Sequence, residues 1–161
     1  MEMAATEISP LLDSIALALL AELEQDARLS FAELGRRVGL SPSAAAERVK
    51  RLEEAGVIRG YRADIDPASI GLGIMAIVRM SCDGEQYRRF LAFVNGCEQI
   101  YECHHVTGAD ALTLVVRVAS IEELEGLVMK LLKYGIPTTS IVLSSPLARR
   151  HLPLAPKRVK A

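Results

Sequence analysis

The stretch LSPSAAAERVKRLEEAGVIRGY, residues 40–61, gathers the side chains of this chain best suited to hold a polyanion. Ser41 and Pro42 read as an N-cap and a proline at the first helical position, where the missing N–H leaves no hydrogen bond unmade. Beyond them Ala45, Val49 and Leu52 recur at i, i+4 and i+7 and therefore point inward. That leaves Ser43, Glu47, Lys50 and Glu54 outward, flanked by Ala44, Arg48 and Arg51. Small residues at the exposed start let a helix sit deep in a major groove, while Arg and Lys beyond them grip phosphate oxygens or guanine. In isolation the same helix reads as a solvated surface with i, i+4 ion pairs such as Lys50 with Glu54, so its neighbours must decide.

Other chemistry is sparse. Cys103-His104-His105 invites a metal, yet on a strand only Cys103 and His105 share a face, and two ligands do not make a zinc site. The three cysteines, Cys82, Cys97 and Cys103, are odd in number and scattered, which argues against a disulfide framework and for a reducing compartment. No paired carboxylates, activated serine or cofactor loop stands at a plausible spacing, and the serines of SIVLSSP have no evident base. The sequence therefore predicts no catalytic residues, no cofactor and no metal.

The elements that position the basic helix are legible upstream. Apolar residues at 12, 15, 16, 19, 20 and 23 predict a helix with one buried stripe. Ser30-Phe31-Ala32-Glu33 is a capping-box pattern, followed by Leu34 and Val38 at helical spacing from Phe31, and Gly39 ends that second helix. Only Gly39, Leu40 and Ser41 separate it from the third, the dimensions of a helix-turn-helix. Between residues 28 and 62, eight basic residues stand against four acidic ones, a net of +4 and a local footprint for phosphate. Past Gly56, VIRGYRADI leans toward β structure and predicts a wing or connecting strand, with Arg59 and Arg62 near phosphates as Arg36 and Arg37 are.

After Asp66-Pro67, Gly71 and Gly73 the pattern changes. Residues 74–80 read as a strand, Tyr87, Phe90, Leu91 and Val94 as a helical stripe, and residues 100–107 and 112–118 as a hairpin around Gly108-Ala109-Asp110. A second helix over Ile121, Leu124, Leu127, Val128, Leu131 and Leu132 is ended by Gly135 and Pro137, and residues 138–145 make the last strand. The order β-α-β-β-α-β is ferredoxin-like, so the chain as a whole is α+β, a winged helix-turn-helix followed by a ferredoxin-like domain. Expected boundaries are 1–65, a linker at 66–73, 74–147, and a tail at 148–161 carrying Arg149, Arg150, Lys157, Arg158 and Lys160 without an acid. Most aromatic residues of the second half fall on helices, which removes an RNA-stacking sheet.

With 161 residues at 50% hydrophobic content, a real core can be buried in one domain or two small ones. The near balance of 19 Lys+Arg against 20 Asp+Glu excludes a wholly basic nucleic-acid coat. No apolar run approaches the ~20 residues of a membrane span, and MEMAATEISP lacks signal-peptide features, so a soluble cytoplasmic protein is expected.

The segments ELGRRVGLSPS, ERVKRLEEAGVIRGY and ECHHVTGAD give nearly the whole chain a resemblance to the Lrp/AsnC, or feast/famine, family of transcription factors. The resemblance implies double-stranded DNA as partner, with bases near Ser41, Ser43, Ala44, Glu47, Arg48 and Arg51, and phosphates near Arg36, Arg37, Lys50, Arg59 and Arg62. It also implies homodimers that assemble into tetramers or octamers, and an amino-acid effector bound between dimers at the turn Thr107, Gly108, Ala109 and Asp110. A glycine turn offers N–H donors to the effector's carboxylate and Asp110 an acceptor for its ammonium, with hydroxyls from Thr138, Thr139 and Ser140. Gly108-Ala109-Asp110-Ala111 stands where many family members carry an aromatic residue and then an acid. A rival reading keeps the amino-acid site but makes the chain a regulatory module for a partner enzyme, with the three helices as a docking unit.

Overall fold

The computed structural model describes residues 11–82, 84–108, 110 and 112–154. It divides into two compact units, the second spanning Asp64–Pro146; the described residues 147–154 belong with the first.

Three helices build the first unit: α1 (Ser14–Gln25), α2 (Phe31–Val38) and α3 (Pro42–Glu54). Helix α1 starts at Ser14 rather than at Leu12, because Asp13 caps it by accepting the Ala16 N–H at 2.7 Å. Ser30 and Ser41 cap α2 and α3 in the same way, each accepting the N–H three residues on at 3.2 Å. Gly39, at φ 74°, takes the left-handed turn that lets α3 leave α2. The core is Leu19, Leu34, Ala45 and Val49, all essentially solvent-free, bordered by Ile15, Leu23, Leu29, Val38, Leu40 and Ile58. Phe31 does not join it and is 47% exposed; the buried face of α2 centres on Leu34 and Gly35.

The strand expected over VIRGYRADI is not formed. Val57 and Ile58 instead donate their N–H groups to the Leu52 carbonyl at 2.9 and 3.1 Å, and an extended segment without a neighbouring strand has no ladder to join. Further along, the Tyr61 hydroxyl donates to Glu53 at 2.8 Å, tying the segment back to α3. Partial burial, reinforced by that carboxylate, pushes the Tyr61 phenol up to about 12.

In the second unit β1 (Ile74–Ser81), α4 (Gly84–Asn95), β2 (Ile100–His105), β3 (Leu112–Val118), α5 (Ile121–Leu131) and β4 (Ile136–Ile141) follow in the ferredoxin-like order. All pairings are antiparallel and the strand order is β2-β3-β1-β4. Alternation sends Ala76, Val78 and Met80 of β1 and Leu112, Leu114, Val116 and Val118 of β3 to one face, where Phe90, Leu124, Leu127 and Leu131 cover them. The opposite face presents Met75, Ile77 and Arg79 beside Thr113, Val115 and Arg117. Strand β4 begins two residues before its expected start and contains Pro137; as an edge strand it tolerates the missing N–H. Cys103 is half-buried on the helix-covered side, where the neighbouring His105 ring lies 5.7 Å from Tyr87.

Candidate DNA interface and effector site

Helix α3 presents Ser43, Glu47, Lys50 and Arg51 to solvent over its whole outer face, while Ala45, Val49 and Leu52 are buried beneath. Ala44 and Arg48 are half-buried on the flank. Ser41 and Ser43 hydroxyls lie 3.2 Å apart at the N-terminal end, leaving a small, polar tip. That tip fits a groove, with its helix N-terminus favouring nearby phosphate.

The basic residues are mostly engaged by acids of the same unit. Arg51 Nε lies 3.0 Å from Glu47 and Lys50 lies 3.6 Å from Glu54, both one turn apart on α3. Arg48 reaches Asp13 with its Nη1 at 2.8 Å, so a guanidinium assigned to bases also clamps α3 to the cap of α1. The Ala16 N–H first, and then Arg48, hold the Asp13 carboxyl below the usual range. Arg37 bridges Glu33 at 2.8 Å and Glu22 at 2.7 Å, bracing α2 against α1. Arg36 takes Glu33 in a two-pronged contact at 2.7 and 2.8 Å. The carboxylate expected to complete a capping box thus serves Arg36 and Arg37 instead. Arg59 and Arg62 are exposed and make no ion pair among the described residues.

Because Arg36 and then Arg37 lower the Glu33 carboxyl from 4.5 to about 2, its contribution to folding is present above its unfolded value and is lost as pH falls through about 2. The Glu33→Gln variant is therefore expected to lose less stability on acidification over that window than the parent, as read by denaturant midpoints at several pH values. Equal acid sensitivity would remove Glu33 from the balance.

In the second unit, Thr107 and Gly108 are exposed at the β2–β3 turn, and Gly108 adopts φ 118°. Ala109 lies outside the described residues. Asp110 is half-buried and faces Arg79, whose Nε lies 3.7 Å from its carboxylate. Arg79 sits on the open sheet face, paired across β1 with Thr113 on one side and Thr138 on the other. Thr138 and Ser140 share that face, whereas alternation turns Thr139 to the helix-covered side. The three hydroxyls are thus divided, and Arg79 is the residue that sequence reasoning missed. Its signal was a lone charge inside the apolar run of β1.

Comparison with known proteins matches both halves. Residues 12–59 fit the winged helix-turn-helix DNA-binding family, and residues 75–152 fit the Lrp/AsnC ligand binding domain. The chain is 34% identical over 133 residues to the HTH-type transcriptional regulator LrpC of Bacillus subtilis, covering 83% of this chain and 92% of that protein. It is 36% identical over 146 residues to the HTH-type transcriptional regulator LrpA of Mycobacterium tuberculosis, covering 88% and 97%. Among solved structures, a transcriptional regulator of Neisseria meningitidis in complex with L-methionine is similar, with TM-score 0.83 and 30% identity over 88% of this chain and 96% of that one. A feast or famine regulatory protein of M. tuberculosis complexed with L-methionine gives TM-score 0.81 and 36% identity over 88% and 99%. With both halves matched in order and these relatives covered almost end to end, the chain belongs to the Lrp/AsnC family of HTH-type transcriptional regulators.

Proposed function

We propose that this chain regulates transcription by inserting α3 into the major groove of a specific duplex, as a homo-oligomer whose assembly or affinity responds to an amino acid. The observation that carries this reading is α3 itself: capped by Ser41, seated by Ala45, Val49 and Leu52, and bare along the face of Ser43, Glu47, Lys50 and Arg51. Paired third helices of a dimer then read a pseudo-palindrome, Ser41, Ser43, Ala44, Glu47, Arg48 and Arg51 near bases, and Arg36, Arg37, Lys50, Arg59 and Arg62 near phosphates. No helix among the described residues is long and apolar enough to cross a membrane.

The effector is read as a zwitterion at the β2–β3 turn. Asp110 supplies the acceptor for the ammonium, the N–H groups of the turn and the Arg79 guanidinium supply donors for the carboxylate, and Thr138 and Ser140 supply hydroxyls on the same face as Arg79. The solvent-accessible Arg79–Asp110 pair, at 3.7 Å and with only Asp110 half-buried, is worth little by itself, roughly 0–1 kcal/mol, so a ligand can separate it at small cost.

The test is fluorescence anisotropy of the purified protein on its own upstream DNA at fixed salt, with excess competitor, with and without an amino-acid mixture. Competitor-resistant binding that shifts with the mixture supports the reading, while loss of preference for any duplex favours the rival docking module. Arg51→Ala is expected to weaken specific binding about tenfold, within the ~1–3 kcal/mol of a base-contacting guanidinium; unchanged salt-dependent affinity would sink its assignment. For the ligand, Asp110→Ala is expected to abolish the shift and spare DNA affinity. A retained shift would place the effector elsewhere.

A further inference from the structure

The cations of the helical unit are largely engaged by its own acids: Arg36 and Arg37 with Glu33 and Glu22, Arg48 with Asp13, Lys50 with Glu54, Arg51 with Glu47. A guanidinium already bonded to carboxylate gains less from a phosphate, because the carboxylate must be displaced or left to repel the newcomer. Among the described residues of this unit, the arginines without an ion pair are Arg28, Arg59, Arg62, Arg149 and Arg150. The last two are exposed and lie on the C-terminal segment. That segment is not loose: the Leu152 N–H donates to both carboxylate oxygens of Glu24 on α1, at 2.9 and 3.0 Å. Only His151 stands between this anchor and Arg150, so the backbone that carries both arginines is tethered close to α1.

We infer that Arg149 and Arg150 belong to the DNA interface: the C-terminal segment, pinned to α1 through Glu24, brings two unpaired guanidiniums to the phosphate backbone beside the helix-turn-helix. They supply affinity without sequence preference, since phosphate contacts position a protein on the duplex but do not read it. The inference rests on the DNA-binding reading above and extends it to a segment beyond the helix-turn-helix.

The experiment uses the full chain carrying R149Q/R150Q, titrated by anisotropy onto its upstream duplex and a scrambled duplex across a salt series. The slope of log affinity against log salt is expected to become shallower by about 4, near 0.9 for each of the four phosphate contacts that a dimer loses, with equal weakening on both duplexes. Glu24→Ala, which keeps both arginines but removes the anchor, is expected to shift the slope in the same direction by a smaller amount. An unchanged slope in R149Q/R150Q overturns the inference, and an unchanged slope in Glu24→Ala overturns the anchor. A changed oligomeric state on size exclusion with an unchanged slope places the segment on another copy and overturns it too. Failure of the unsubstituted protein to bind either duplex removes the DNA reading as well, so the two failures are told apart.

Discussion

Gly35→Ala is expected to lower the stability of the helical unit by about 2 kcal/mol and to weaken specific DNA binding by more than tenfold, although alanine is the better helix former by ~1 kcal/mol. Gly35 sits inside α2, one turn before the left-handed Gly39. A methyl group there would lie 2.6 Å from the Leu40 carbonyl oxygen and 3.2 Å from that of Ser41. Both are backbone atoms, so no rotamer relieves the clash. The Leu40 N–H meanwhile donates to the Gly35 carbonyl at 2.8 Å, which holds the turn against the very position the methyl would occupy. The chain must open between α2 and α3, and α3 moves with it. Because base readout depends on α3 lying at one depth and angle, affinity should fall further than stability alone explains. Gly39→Ala is the control: nothing lies within 4 Å of its Cβ, and the cost is confined to the left-handed φ of 74°, about 1–2 kcal/mol. Thermal unfolding and anisotropy on both variants check this, and a Gly35→Ala protein as stable and as tight as the parent would refute the steric argument.

Which features were legible follows from how far apart in the chain the partners lie. The caps Ser30 and Ser41, the turn glycine Gly39 and the buried Ala45, Val49 and Leu52 act within one or two helical turns, so a local pattern reveals them. The alternation of β3 is likewise complete within seven residues. Contacts that join distant segments carried no such signal. Arg48 and Asp13 are 35 residues apart, and Arg37 finds Glu22 across 15. Arg79 meets Asp110 only once β1 lies beside β3. Pro137 looked like a terminator because proline removes a ladder donor, yet the sheet order puts β4 at an edge where that loss is harmless. The tightness around Gly35 was hidden for the same reason, since its neighbour is the backbone of the turn that follows and not a side chain with a type to read. The candidate site followed this division: the outward face of α3 was readable, while its ion-pair partners and the guanidinium beside the β2–β3 turn required the fold.

The second large effect is expected at Gly135, between α5 and β4. A Cβ there would lie 2.2 Å from the Ser81 carbonyl oxygen and 3.1 Å from both Cα and Cβ of Cys82. Retreat is blocked on the chain's other side, where the Tyr134 ring stacks on Phe93 at 5.2 Å and meets Phe90 edge-on at 5.9 Å. Since β4 pairs with β1 from Ser81 and Ile136 onward, the least costly escape is to prise β4 away from β1 at that end. Gly135→Ala should therefore cost the second unit about 3 kcal/mol, at the upper end of what overpacking does. It should also remove any amino-acid response, because Thr138 and Ser140 would lose their places beside Arg79 and Ile77. Gly126→Ala makes the opposite prediction from the same chemistry. Gly126 is exposed within α5, a Cβ there meets nothing within 4 Å, and the helix should gain roughly 0.5–1 kcal/mol. Urea midpoints for the two variants should thus move apart in opposite directions, with the ligand-induced anisotropy shift kept in Gly126→Ala and lost in Gly135→Ala. If both variants move the midpoint the same way, the close packing of Gly135 against the end of β1 is not what sets β4 in place.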